Sequence, residues 1–289
     1  MKKALFLYNP RSGRGRIEQC KEAILAEFEA AGYAVEALQI DFGSNPFEGR
    51  EDLDLAVVAG GDGSMNYLVN CMMRKGLNLP LGIIPAGTAN DFACAIGMAK
   101  DPVLAARQIA TGEVEPIDCG CVNDLYFVNI FSFGLFTTTS QRTPDERKHR
   151  LGKLAYIIEG IQELRRMHKI PLQIKTPQEN FDFDALIVLI FNGETAGGFR
   201  LARRSSLTDG VLNCILLEKR SFLHACWTMV RYLLGGSPRA IRHLDVEQLE
   251  LHAPFQEPTD VDGQQGAEFP LAIRCLKGVL QIQCAPEKK

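Results

Sequence analysis

The residues best able to do chemistry are Gly60, Gly61, Asp62, Gly63, Ser64, Met65 and Asn66. They end an apolar run over residues 53–59 and precede a segment with helical spacing over 65–74. Glycines here let backbone N–H groups close around an anion, and the helix behind them presents the positive end of its dipole. A turn of this kind suits a phosphate. Asp62 would repel a phosphate directly, so its carboxylate is expected to act through a Mg²⁺ bridge. Taken alone, the segment also reads as a glycine-rich turn capped by Asp62 or Ser64, because short glycine motifs recur without function.

Two further turns repeat the chemistry. Asn9, Pro10, Arg11, Ser12 and Gly13 follow the first apolar run, and Pro85-Ala86-Gly87-Thr88-Ala89-Asn90-Asp91 follows the fourth. All three lie at the carboxyl ends of predicted parallel strands, where open α/β sheets bind ligands. Three such turns on one edge point to a bound nucleotide.

The elements that must position these turns alternate. Strands are expected at 5–8, 35–40, 53–59 and 81–84. Helices are expected from Ile17, Ile24, Leu25 and Phe28 to a stop at Gly32, then at 65–74 and 89–96, with another opened by Asp101 as N-cap and Pro102. Strand–helix alternation implies a parallel sheet covered on both faces. Beyond about residue 125, strands are expected at 126–133, 181–191, 211–217, 246–252, 271–275 and 279–284, with helices at 152–168 and 221–234. The second half therefore reads as mainly β, a sandwich. The helix carrying Trp227, Leu233 and Leu234 reads as core packing, with a membrane-facing edge as the alternative.

Composition narrows the classes. The chain has 289 residues, 46% of them hydrophobic, which is ordinary for a globular protein of one large or two mid-sized domains. A net charge of −3 carries no basic bias and argues against nucleic acid as a partner, while leaving room for a local basic patch. Arg142, Arg147, Lys148, His149 and Arg150 form one such cluster, read as a solvated loop with anionic lipid as the alternative. Arg200, Arg203 and Arg204 could face phosphates or water. Nine scattered cysteines, mostly in apolar runs, suggest reduced thiols in a cytoplasmic protein, and Cys119 and Cys121 stand too close for a zinc knuckle. The basic start, Met1-Lys2-Lys3, precedes an apolar run too short for a signal peptide, and no run reaches the ~18 residues of a membrane span.

The three turns, together with Leu151-Gly152-Lys153-Leu154-Ala155-Tyr156, Asn192-Gly193, Leu207-Thr208-Asp209-Gly210 and Asp262-Gly263, resemble the diacylglycerol kinase catalytic domain family. That family includes bacterial lipid kinases, ceramide kinases and sphingosine kinases, and is similar to NAD kinases and phosphofructokinases through its GGDGT turn. The resemblance runs nearly end to end. It implies an α/β, Rossmann-like nucleotide-binding domain over 1–127 and a mainly-β sandwich domain over 128–289, whose last strand packs back on the first domain. It implies ATP held at Asn9, Pro10, Arg11, Ser12, Gly13, Gly60, Gly61, Asp62, Gly63, Ser64, Met65, Asn66 and Thr88. It also implies a structural Mg²⁺ at Ser206, Asp209 and Val211, partly on backbone oxygens; without the family, Asp209-Gly210 reads as a hairpin turn. The implied partners are the nucleotide and a lipid at the membrane surface, with a homodimer allowed, and the implied location is cytoplasmic and peripheral to the membrane.

Departures from the family pattern matter. Ser64 replaces Thr and keeps the hydroxyl, and Tyr67 stands where Glu is common. The family's Asp-Gly-Glu is here Asp262-Gly263-Gln264, and Gln264 cannot accept a proton at neutral pH. Either Asp262 is the base and Gln264 positions it, or the chain binds nucleotide without turnover. The expectation is a lipid kinase with Asp62 and Asp262 catalytic and diacylglycerol as acceptor. An NAD kinase-like enzyme with a soluble acceptor and a non-catalytic nucleotide-binding protein are the alternatives.

Overall fold

A computed structural model of the chain describes residues 1–10, 12–134 and 168–284. Its first strands, β1 (Lys2–Tyr8), β2 (Tyr33–Gln39), β3 (Leu55–Gly60) and β4 (Leu81–Pro85), are parallel in the order β4-β3-β1-β2. Every residue of β3 and β4 is buried, as their unbroken apolar runs require of strands covered on both faces. Helix α1 (Arg16–Ala30) buries Ile17, Ile24 and Phe28 and stops before Gly32, whose φ of 87° suits glycine. Helix α2 (Asp62–Arg74) follows β3, and the short α3 (Asp91–Ala95) follows β4. In α4 (Pro102–Thr111), Asp101 caps the first turn by accepting from the Val103 and Leu104 N–H groups at 3.1 and 3.0 Å.

The remaining strands are antiparallel to their neighbours, save one contact. They are β5 (Glu113–Val122), β6 (Leu125–Phe127), β7 (Ile130–Phe133), β8 (Ile170–Lys175), β9 (Asn180–Phe191), β10 (Thr195–Ala196), β11 (Phe199–Arg200) and β12 (Leu212–Glu218). After helix α5 (Phe222–Leu233) come β13 (Ile241–Val246), β14 (Gln248–His252), β15 (Thr259–Val261), β16 (Gln264–Gln265) and β17 (Leu271–Cys284). Along β9, Val188 and Ile190 enter one core while Ile187, Leu189 and Phe191 enter another beneath α5. A period of two with both faces buried explains why this strand reads as one apolar run. β17 is the joint of the molecule: it pairs with β14 and β5, and its Ile282 then joins β4 in parallel register at Leu81.

Several expectations are corrected. The single strand expected at 126–133 is two, β6 and β7, broken where Val128 and Asn129 turn their N–H groups to the Asp262 carboxylate. The two strands expected at 271–275 and 279–284 are one, with a register shift between Leu276 and Leu280 that passes Gly278 at φ 59°. Strands β5, β8, β10, β11, β13, β15 and β16 are not among those expected; β5 opens on the exposed Glu113 to Pro116, and its longer pairing, with β17, lies far along the chain. The helix expected at 152–168, the Leu151–Tyr156 motif and the basic cluster at 142–150 lie outside the described residues. No helix among the described residues is long and apolar enough to cross a membrane.

Where β5 meets β6, backbone and ring are in contact: a Cβ on Gly120 would stand 2.1 Å from the Phe127 ring. Gly120→Ala should therefore cost about 1–3 kcal/mol of stability, read as a lower urea midpoint. Combined with Phe127→Leu, which frees the space, the loss should fall short of the sum of the two single losses.

Candidate active site

The three glycine turns meet at the carboxyl ends of β1, β3 and β4. Gly13 N–H donates to the Ala86 carbonyl at 2.9 Å, and Ala86 N–H donates to the Gly60 carbonyl at 2.8 Å, so each turn is tied to the next. Side chains are absent for a steric reason: a Cβ on Gly87 would stand 2.5 Å from the Gly61 Cα. Asn90, at φ 53°, closes its own turn, accepting from Gly87 N–H at 2.7 Å and donating to the Gly87 carbonyl at 2.9 Å. Ser12, Gly13, Gly63, Ser64 and the exposed Thr88 line this edge, with Asn9 and Pro10 at its end; Arg11 lies outside the described residues. Two expected contacts are corrected. Met65 is fully buried in the core, and Asn66 is buried with its amide committed elsewhere, so neither side chain faces a ligand.

Two carboxylates stand among the turns. Asp62 Oδ1 accepts from Phe92 N–H at 3.0 Å and from Asn129 Nδ2 at 3.1 Å, while Oδ2 takes no part in these bonds. Asp91 is buried, and its Oδ1 and Oδ2 lie 3.0 and 3.3 Å from Gly198 N–H. Burial raises the Asp91 pKa, and the neighbouring Asp62 charge raises it further. Two neighbouring carboxylates with hard oxygens, beside backbone shaped for phosphate, fit a divalent cation bound with a nucleotide. Asp91 belongs to the quoted third turn but was not singled out, since sequence alone does not show it beside Asp62.

Asp262 sits elsewhere than a base should. Asp262 and Gly263, both at positive φ, form the two-residue turn between β15 and β16. The Asp262 side chain then folds inward, only 9% of the residue remaining exposed. Its Oδ2 accepts from Val128 N–H at 2.7 Å and Asn66 Nδ2 at 2.9 Å, and its Oδ1 from Ile130 N–H at 2.8 Å and Asn129 N–H at 3.0 Å. Burial pushes its pKa up to about 7, against the pull of these four donors. A proton acceptor needs a lone pair facing its substrate, and here both oxygens are filled. The expected base is thus a positioning residue: it fixes the break between β6 and β7 and couples it to α2. Gln264 is exposed and donates from Nε2 to the Gly63 carbonyl at 3.1 Å, a contact that a carboxylate could not make.

The expected metal loop lies at the far side of this network. Asp209 Oδ1 accepts from Val211 N–H at 3.1 Å, and Ser206 Oγ lies 3.3 Å from Thr208 Oγ1. Beneath it Asp118, fully buried and not anticipated from the sequence, accepts from Gly210 N–H at 2.6 Å and Gly278 N–H at 2.7 Å. Burial, with the charges of Asp118, Asp209 and Glu247, pushes the Cys275 thiol up to about 12, which marks the loop as electronegative. Among the described residues no three His, Cys, Asp or Glu side chains converge on a metal, so an ion here would lean on backbone oxygens. The donor set of Ser206, Asp209 and Val211 fits Mg²⁺ in its hardness. Tyr67 lies outside the chemistry, its hydroxyl 2.7 Å from the Asp41 carbonyl and 2.6 Å from that of Ser44. Arg200 pairs with Glu194, and Arg203 Nη2 lies 3.4 Å from the Leu233 carbonyl.

A parallel sheet ending in three glycine turns, joined to an antiparallel sandwich whose loops reach the same turns, defines a two-part α/β and β-sandwich fold with its ligand edge at those turns. Residues 3–122 match the diacylglycerol kinase catalytic domain, and residues 130–284 the YegS C-terminal NAD kinase beta sandwich-like domain. The chain belongs to the diacylglycerol kinase family. It is 30% identical to the diacylglycerol kinase of Bacillus subtilis (strain 168), over 93% of this chain and 92% of that one. It is also 30% identical to that of Staphylococcus epidermidis (strain ATCC 12228 / FDA PCI 1200), over 97% and 92%. The crystal structure of a diacylglycerol kinase from Bacillus anthracis str. Sterne shares the fold at TM-score 0.80 and 24% identity, covering 99% of this chain and 98% of that chain.

If Asp262 is the pin described, Asp262→Asn, which keeps one acceptor and adds two N–H groups, should leave buried donors unpaired and cost roughly 2–5 kcal/mol. Gln264→Glu, at an exposed position, should change stability by no more than about 0.5 kcal/mol. Urea unfolding of both variants checks the contrast, and equal midpoints would refute it.

Proposed function

We propose that the chain transfers the γ-phosphate of ATP to a lipid hydroxyl, with diacylglycerol as the acceptor. The observation that carries this reading is the Asp62–Asp91 pair among the three glycine turns, reached from the second half of the chain by Asn129, Gly198 and Gln264. The relatives named diacylglycerol kinase support the acceptor class.

In this reading, the turns at Asn9–Gly13, Gly60–Ser64 and Thr88 hold the nucleotide through backbone N–H groups and small hydroxyls. Asp62 and Asp91 would hold Mg²⁺, which would supply positive charge to offset that of the phosphates and the two carboxylates. Asn129 orients Asp62, and Gly198 orients Asp91. Asp262 acts at one remove, holding Asn129 and Asn66 in place. Phosphoryl transfer rests mainly on positioning and charge neutralisation, so Gln264 in place of a carboxylate is compatible with turnover. A Mg²⁺ at Ser206, Asp209 and Val211 would brace the second half and take no part in the transfer.

The test is transfer of labelled γ-phosphate from Mg-ATP to diacylglycerol, monoacylglycerol, sphingosine, ceramide and phosphatidylglycerol in mixed micelles, with NAD alongside. Labelled diacylglycerol is expected, with kcat/KM reduced at least about 100-fold in Asp62→Ala. Label on NAD would make it a soluble-acceptor kinase. ATP binding without any labelled product, unchanged in Gln264→Glu, would make it a nucleotide-binding protein without turnover.

A further inference from the structure

Helix α5 is apolar on more than the side it needs. Ala225 and Thr228 are buried and Phe222, Cys226, Met229 and Tyr232 pack on the core beneath β9 and β12. The opposite side carries Leu223, Trp227, Val230 and Leu234, spaced by four, three and four residues and so aligned in one stripe. These side chains face outward, Leu223 78% exposed, Trp227 62% and Leu234 83%. The core role expected for Trp227 and Leu234 is thus corrected: the sheet accepts only one face of the helix, and the second lies open.

The surroundings of the stripe are cationic. Between Glu218 and Asp245 the chain carries Lys219, Arg220, Arg231, Arg239 and Arg242 and no acidic residue; Arg220 pairs with Glu218 and Arg242 with Glu179, so Arg231 and Arg239 carry the charge nearest the stripe. Arg231 stacks its guanidinium 5.3 Å from the Trp227 ring centroid. Arg203, from the segment before the 206–211 loop, lies against Gly235 and the Leu233 carbonyl at the helix end. Neither Arg203, Arg231 nor Arg239 forms an ion pair with a described residue.

We infer that α5 is a membrane-docking helix, which lays Leu223, Trp227, Val230 and Leu234 into the headgroup boundary of an anionic bilayer while the flanking arginines meet lipid phosphates. A helix with an exposed Trp/Leu stripe and cationic flanks has the character of an interfacial helix. Charge decides between this occupant and a second copy of the chain. A twofold contact through the same stripe would place like-charged arginines against each other, whereas an anionic lipid surface complements them. The helix is also tied to a segment that reaches the site, because Tyr232 donates a 2.8 Å hydrogen bond to the Leu201 carbonyl, just after the β10–β11 hairpin whose Gly198 N–H meets Asp91. The inference does not rest on the proposed reaction, since binding is read without nucleotide or turnover.

Trp227 is the only tryptophan of the chain, so its emission reports on this surface alone. The full-length protein is titrated with vesicles of phosphatidylcholine, with and without phosphatidylglycerol, and binding is read in parallel by flotation. A blue shift and flotation with the phosphatidylglycerol vesicles, and neither with phosphatidylcholine alone, are expected. Arg231→Gln with Arg239→Gln should weaken binding roughly thirtyfold. Leu223→Ser with Leu234→Ser should abolish the blue shift while far-ultraviolet circular dichroism stays unchanged. No shift with either vesicle would overturn the inference. So would emission already blue-shifted without lipid, whether it depends on protein concentration, as for a second copy, or not, as for a cover supplied by the chain itself.

Discussion

The Asp262 carboxylate is the constraint on which the rest of the site depends. A carboxylate taken out of water is tolerable only where other donors replace the lost hydration, and three backbone N–H groups and the Asn66 amide do so here. The requirement runs both ways. Val128 and Asn129 lie between the strands and Ile130 opens β7, and the N–H groups of all three would lose this partner if Asp262 were elsewhere. The β6–β7 break, the Asp262–Gly263 turn and α2 are therefore mutually dependent. Once they are set, the Asn129 side chain reaches Asp62, and its carbonyl accepts from the N–H groups of Asn192 and Gly193. Asn192 passes the connection on by donating to the carbonyls of Asp118 and Val128.

Charge is distributed unevenly over this frame. Asp62 and Asp91 open α2 and α3, Asp118 lies in β5 and Asp209 in the loop before β12, and the first two are close enough for one to raise the pKa of the other. Such an arrangement is costly in isolation and becomes favourable when a cation and a phosphate share it. The run from Lys219 to Arg242 around α5, in contrast, holds cations and no acidic residue. For a molecule with a net charge of −3, a local cationic face of this kind is what the inferred docking to an anionic membrane would need.

Gln264 shows how one atom changes the use of a position. Its Nε2 donates to the Gly63 carbonyl, which clasps the β15–β16 hairpin to the first turn of the glycine motif. A carboxylate there would turn away from that carbonyl and toward whatever donor lay in front of it. The hairpin brings this residue to the site, and as glutamine it acts there as a clasp.

Much of this was legible in the sequence. The parallel half followed from apolar runs separated by helical spacing, and the three glycine turns followed from the need for backbone without side chains, for which Gly is the only solution. The Asp101–Pro102 helix start was equally local. What the sequence could not show are relations between residues far apart in the chain. Asp91 beside Asp62, Asp118 under Gly210 and Gly278, and Asp262 among the Val128–Ile130 amides each depend on which strands become neighbours. β17 read as two strands because a bulge resembles a turn when its partner is unknown. Trp227 read as core because an apolar helix does not say how many of its faces the fold will cover. Local chemistry is written in residue type and spacing; burial and charge state are set by tertiary neighbours, and those decided that Asp262 positions the site and that α5 has a second face left open.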